Sequence, residues 1–209
     1  PGDDGINPQP SFVCYEPIAR MAGAKGVTIN TKAENGFKLT AGELREAITE
    51  KTKLLVLPYP NNPTGAILER GELEELAEVL RGTDIFVLSD EIYAELTFGK
   101  RHVSIAEIDG MRERTVIASG FSKAYAMTGW RLGYLAGVKP LILPMLKLHQ
   151  YAIMCAPTTS QAAAVEALQN GDSDIAEMCA EYNRRRVFIH EGLEKIGIPT
   201  LMPEGAFYV

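Results

Sequence analysis

Cysteine and histidine are scarce in this chain of 209 residues, with three of each. Cys14, Cys155 and Cys179 are odd in number and scattered, which argues against a disulfide framework and fits reduced thiols. No CxxC or HxxxH spacing occurs, so no metal site is expected. A long apolar run is also missing. The longest stretch, Leu141 to Leu148, contains Pro144 and Lys147 and is too short to span a bilayer. No apolar h-region follows Pro1. The expectation is a cytoplasmic protein with no membrane partner. An excess of basic charge is absent as well. The chain has 21 Lys+Arg against 27 Asp+Glu, a net charge of −6. That balance argues against general nucleic-acid binding, which needs basic patches.

What is present is ordinary globular composition: 46% hydrophobic and 23% charged residues exclude a collagen, a coiled-coil rod and a disordered tail. The length suffices for one large domain, or for one plus part of a second. Pro1-Gly2-Asp3-Asp4 opens without Met, and Ala206-Phe207-Tyr208-Val209 reads as the middle of a strand. The expectation is therefore a piece of a longer polypeptide.

Apolar runs and amphipathic helices alternate. Phe12 to Ala22 reads as a helix and Gly26 to Asn30 as a short strand. Thr40-Ala41-Gly42-Glu43 is a capping-box pattern, with Leu44, Ala47 and Ile48 on one helical face behind it. Lys53 to Pro58 reads as a buried strand. Leu73, Leu76, Ala77 and Leu80 stripe the next helix at i, i+3, i+4, i+7. Further strands are read at Ile85–Asp90, Thr115–Ser119 and Leu132–Ala136. Thr158 to Gln169 and Asp174 to Ile196 read as helices. Continuous apolar strands separated by helices predict an α/β fold, with a mainly parallel central sheet covered by helices on both faces. The long last helix, a Pro/Gly stretch and a strand suggest the start of a smaller α+β domain. The expected division is residues 1–170 as a large domain, and 171–209 as a connecting helix with the beginning of a small one.

In open α/β sheets ligands bind outside the carboxyl ends of the strands. Tyr59-Pro60-Asn61-Asn62-Pro63-Thr64-Gly65 follows the Lys53 strand. Asp90-Glu91-Ile92-Tyr93 ends the next, and Gly120-Phe121-Ser122-Lys123 the third. Arg131 lies just before the fourth. A guanidinium and hydroxyls suit a phosphate. An amine suits a carbonyl, through a Schiff base. A carboxylate suits a protonated ring nitrogen, and an amide with a phenol suits a phenolate oxygen. Together these describe pyridoxal 5′-phosphate. Taken singly, each residue has a plainer reading: Lys123 a surface charge, Asp90 a helix cap, Asn62-Pro63 a turn, Tyr93 a core-edge aromatic, Arg131 a partner for a nearby acid. Their conjunction, in this order at strand ends, weighs against those readings.

On these residues the chain resembles the class I/II, fold-type I pyridoxal-phosphate aminotransferases. Gly120-Phe121-Ser122-Lys123-Ala124-Tyr125-Ala126-Met127-Thr128-Gly129-Trp130-Arg131-Leu132-Gly133 is similar to that family's lysine-attachment signature. Asn62-Pro63-Thr64-Gly65 and Asp90-Glu91-Ile92-Tyr93 match two further blocks. The likeness also takes in Pro1-Gly2-Asp3, Pro157 to Leu168 and Gly205-Ala206-Phe207-Tyr208. The resemblance implies catalytic roles for Lys123, Asp90 and Tyr93. Lys123 would link to the cofactor's aldehyde and then shuttle a proton. Asp90 would keep the pyridine nitrogen protonated. Asn62 and Tyr93 would bond the ring oxygen. Arg131 and Ser122 would take the phosphate, and Phe12 would stack on the ring. The Asn62-Pro63 bond would be cis. Many members carry Ser where this chain has Gly120, so one phosphate hydroxyl is lost, with Ser119 beside it as a substitute. The phosphate loop is expected before Pro1, and the arginine that grips the substrate carboxylate beyond Val209. Arg184-Arg185-Arg186 cannot share one helix face and reads as solvated surface.

The implied activity is transamination between an amino acid and a 2-oxo acid, in a homodimer when intact. Three alternatives stay open at this point. One is a β-lyase or synthase of the same fold. Another is the aminotransferase-like sensor half of a transcription regulator. The third is an inactive fragment.

Overall fold

A computed structural model describes residues 2–209; Pro1, the first residue of the Pro1-Gly2-Asp3 block, lies outside the described residues. Six strands form one sheet: β1 (Asp4–Gln9), β2 (Lys25–Asn30), β3 (Thr52–Leu57), β4 (Phe86–Asp90), β5 (Thr115–Gly120) and β6 (Gly133–Gly137). Their order is β2-β1-β3-β4-β5-β6. The first five pair in parallel, and β6 runs antiparallel to β5. Six helices intervene: α1 (Tyr15–Met21), α2 (Ala41–Ala47), α3 (Arg70–Leu80), α4 (Lys139–Ala152), α5 (Thr158–Asn170) and α6 (Asp172–Lys195).

The apolar patterns fold as expected. Leu55, Val56 and Leu57 of β3 and Val87 of β4 are buried, because a parallel strand inside the sheet is covered on both sides. Leu73, Leu76, Ala77 and Leu80 of α3 all face the main core. Thr40 caps α2 reciprocally. Its hydroxyl accepts from the Glu43 amide at 3.2 Å, and the Glu43 carboxylate accepts from the Thr40 amide at 3.0 Å. This cap fixes where α2 starts and so seats Leu44 in the core.

Three expectations change. β1 was not anticipated, since Asp4-Gly5-Ile6-Asn7-Pro8-Gln9 has one strong strand former. It lies between β2 and β3, and pairing on both sides overrides its weak propensity. The first helix is shorter than Phe12–Ala22: it begins at Tyr15, and Phe12 and Val13 precede it. No strand forms at 206–209. Gly205 instead makes an isolated antiparallel bridge to Thr97, and the Ala206 amide donates to the Leu96 carbonyl at 2.8 Å. The chain end thus docks as a tail on the loop after β4.

That docking depends on two glycines. Gly65 has φ +69, and its carbonyl accepts from the amides of Glu204 and Gly205 at 2.9 and 2.8 Å. A Cβ on Gly65 would run into Pro203 and lie 3.0 Å from the Gly205 carbonyl oxygen. A Cβ on Gly205 would lie 2.8 Å from Pro60 and 2.9 Å from Ile67. The Asn62–Gly65 turn and the tail therefore approach closely because neither carries a side chain there.

Candidate active site

The carboxyl ends of β3, β4 and β5 open onto one cavity of about 340 Å³, within the size range of small-ligand sites. Five of the expected residues line it: Phe12, Asn62, Asp90, Tyr93 and Lys123. Strand alternation explains the aim of Asp90. Ser89 and Glu91 are buried on the opposite side of the β4 end, so Asp90 faces the cavity. The Asn62-Pro63 bond is cis, as are Gln9-Pro10 and Tyr59-Pro60.

Asp90 is held by two donors. Tyr15 Oη donates to Oδ2 at 2.6 Å, and the Ile92 amide donates to Oδ1 at 3.2 Å. Asn62 and Tyr93 converge on a third group. Asn62 Nδ2 donates to Tyr208 Oη at 3.1 Å, and the Tyr93 and Tyr208 hydroxyls are 2.8 Å apart. Lys123 Nζ lies 5.7 Å from the Tyr93 ring centre and 5.5 Å from that of Phe207, within cation–π range. Burial pushes the Tyr93 hydroxyl above the usual phenol range, and its contact with Tyr208 adds to the shift.

Ser122 and Arg131 do not line this cavity. Arg131 follows a short 3₁₀ turn, is exposed, and donates to the Thr128 carbonyl at 2.7 Å. Ser122 is half-buried, and its carbonyl accepts from Thr128 Oγ1 at 2.9 Å. Ser119 does line the cavity, donating to the Glu91 carbonyl at 3.2 Å. Gly120 has a structural reason to be glycine: a Cβ there would lie 2.9 Å from Gly133 Cα and 3.0 Å from the Leu132 carbonyl oxygen, where β6 pairs with β5.

Two cavity residues with polar side chains, Tyr15 and Tyr208, carried no role in the sequence reading. Tyr15 sits three residues after Phe12, and that spacing is the one local signal for it. Tyr208 lay in a block noted only for its resemblance. Behind Asp90 is a buried polar cluster. Ser89 and Ser104 donate to Glu91 Oε1 at 2.8 and 2.6 Å, and His102 Nε2 is 3.0 Å from Glu91 Oε2. Burial pushes the Glu91 carboxyl up, but contacts from His102 and Ser104 outweigh it and hold the group below its ordinary value. The arginine triplet on α6 is solvated only in part. Arg184 and Arg185 pair with Glu181, whereas Arg186 lies over the Phe98 ring at 4.7 Å and donates to the Pro203 carbonyl at 2.6 Å.

Among the described residues no helix is long and apolar enough to cross a membrane. The sequence profile of the family described as aminotransferase class I and II matches residues 1–209. A Bacillus subtilis protein whose name places it among aminotransferases is 50% identical over 208 residues, covering all of this chain and 54% of its own length. The aspartate aminotransferase of Pyrococcus abyssi is 43% identical over 211 residues, again all of this chain and 54% of the relative. Among solved structures, the aromatic aminotransferase of Pyrococcus horikoshii superposes with a TM-score of 0.95 at 42% identity, over 98% of this chain and 56% of its own. The chain spans about half the length of the curated relatives it matches.

Proposed function

The chain belongs to the class I and II aminotransferases, and on that premise we propose that it supplies the cofactor-holding part of an enzyme moving an amino group between an amino acid and a 2-oxo acid. The cofactor proposed is pyridoxal 5′-phosphate. The observation that carries this reading is convergence: Lys123, Asp90, Asn62 and Tyr93, from three different strand ends, line one cavity. The donor set fits the cofactor's ring. Asn62 and Tyr93 already hold a phenolic oxygen, that of Tyr208, which is the same functional group as the ring hydroxyl.

When bound, the cofactor supplies an electron-withdrawing ring that stabilises negative charge on the substrate Cα. The chain's own residues do the rest. The Asp90 carboxylate favours a protonated ring nitrogen by charge pairing. Asn62 and Tyr93 orient the ring through its oxygen. Lys123 Nζ would hold the cofactor by its aldehyde, and the free amine would take the proton at the substrate Cα as a general base. Phe12, half exposed and lining the cavity, would cover a ring face. Ser122 and Arg131 are proposed for the phosphate; the Thr128 carbonyl takes one of the five N–H donors of the Arg131 guanidinium.

For the whole protein we propose a homodimer and a division at residue 170. The absence of buried residues along α6 supports reading that helix as a connector, whereas the tail at 203–208 docks on the large domain through Gly65, Leu96, Asn62 and Tyr93. The test is direct. Titration with pyridoxal 5′-phosphate should give a long-wavelength absorbance band, distinct from that of the free cofactor, in the wild-type chain and none in Lys123→Ala. A band of equal strength in the variant contradicts the assignment.

A further inference from the structure

We propose that Tyr15 is a positioning residue for Asp90: its phenol holds the carboxylate toward the ring nitrogen and ties the Phe12 segment to the same group. This rests on the cofactor reading above and deepens it. Tyr15 Oη donates to Asp90 Oδ2 at 2.6 Å, while the Ile92 amide donates to Oδ1 at 3.2 Å. The two carboxylate oxygens are thus fixed from two different elements. Each keeps a free lone pair, so the group remains able to accept from a third donor in the cavity.

The same bond anchors α1. That helix has no buried residue, and Val13, Ile18 and Met21 are 77%, 59% and 87% exposed. The other side-chain hydrogen bond of α1, from Arg20 to Glu16, stays within the helix. The helix rests on β1 and β2, with the Glu16 stem against Gly26, but buries no side chain fully. Its side-chain hydrogen bond to the sheet is the one from the Tyr15 phenol, with Phe12 edge-on to the Tyr15 ring at 6.5 Å. Burial, then the Asp90 charge, pushes the Tyr15 hydroxyl well above the usual phenol range, so it stays protonated and donating. A hydrogen bond to a charged group is worth more than a neutral one, and losing it leaves the carboxylate less fixed.

The experiment is a double-mutant cycle of four proteins, wild type, Tyr15→Phe, Asp90→Ala and the double variant, with two ligands. The ligands are pyridoxal 5′-phosphate and its 1-deaza analogue, in which C–H replaces the ring nitrogen. Dissociation constants are read from absorbance titrations. Tyr15→Phe keeps the ring and removes the hydroxyl. It should weaken binding of pyridoxal 5′-phosphate by about tenfold, the scale of one charge-assisted hydrogen bond, and leave the deaza analogue unchanged. In an Asp90→Ala background the same change should cost nothing for either ligand. Equal losses for both ligands, or no loss for either, would overturn the proposal, because then Tyr15 acts on overall shape or not at all. Failure of the wild-type chain to bind either ligand would remove the cofactor reading itself, and this inference with it.

Discussion

Replacing Gly65 by Ala would drive a methyl group into Pro203 and to 3.0 Å from the Gly205 carbonyl oxygen, on a backbone with φ +69. The left-handed conformation alone costs a non-glycine residue about 1–2 kcal/mol. Relieving the overlap costs roughly another 1–3 kcal/mol, the usual range for overpacking. Gly65→Ala should therefore destabilise by about 2–5 kcal/mol, a large share of a typical domain's stability. The structure also says where the strain goes. The tail at 203–206 is held by two amides on the Gly65 carbonyl, so it should detach first. Tyr208 would then leave Asn62 and Tyr93. Urea unfolding measures the total, and amide hydrogen exchange at Gly205 and Ala206 measures the local release. The control is Gly71→Ala, in the first turn of α3, where an added Cβ meets nothing within 4 Å. That change should be neutral or stabilising by up to about 1 kcal/mol. A Gly65→Ala protein within about 0.5 kcal/mol of wild type, with unchanged exchange at the tail, would refute the reasoning.

Other outcomes follow from the polar groups. Glu91 titrates below its ordinary value of 4.5, so its contribution to stability is present above that pH and is lost as pH falls through the lower folded value. Between neutral pH and that acid window Glu91→Gln should therefore lose stability relative to wild type, and the difference should shrink on acidification. A gap independent of pH in urea titrations would contradict this. Tyr208→Phe should tighten pyridoxal 5′-phosphate binding severalfold by freeing Asn62 and Tyr93, in the same absorbance titration. A tenfold weakening would instead make Tyr208 a donor to the cofactor.

Much of this site was legible because it sits where sequence patterns are strongest. The apolar runs of β3, β4 and β5 locate three strand ends, and the residues after them carry Asn62, Asp90, Tyr93 and Lys123. These four share a cavity, as does Phe12. What was not legible depends on contacts distant in sequence. β1 is a strand because β2 and β3 flank it, a condition no local propensity reports. Tyr15 meets Asp90 across 75 residues, and Tyr208 meets Tyr93 across 115. Gly120 read as a lost hydroxyl; the close pairing of β6 at Gly133 adds a steric reason for glycine that the local sequence does not report. The tail read as a strand from its apolar composition; the tight approach of Gly65 and Gly205 makes it a docked turn instead.

The central claim is that Lys123 is the amine that takes the cofactor. It is tested most directly by incubating the chain with pyridoxal 5′-phosphate, reducing with borohydride, and locating the label by peptide mass. The account predicts a single pyridoxyl group on Lys123. A label on another lysine, or no label under conditions where the chain is folded, would contradict it.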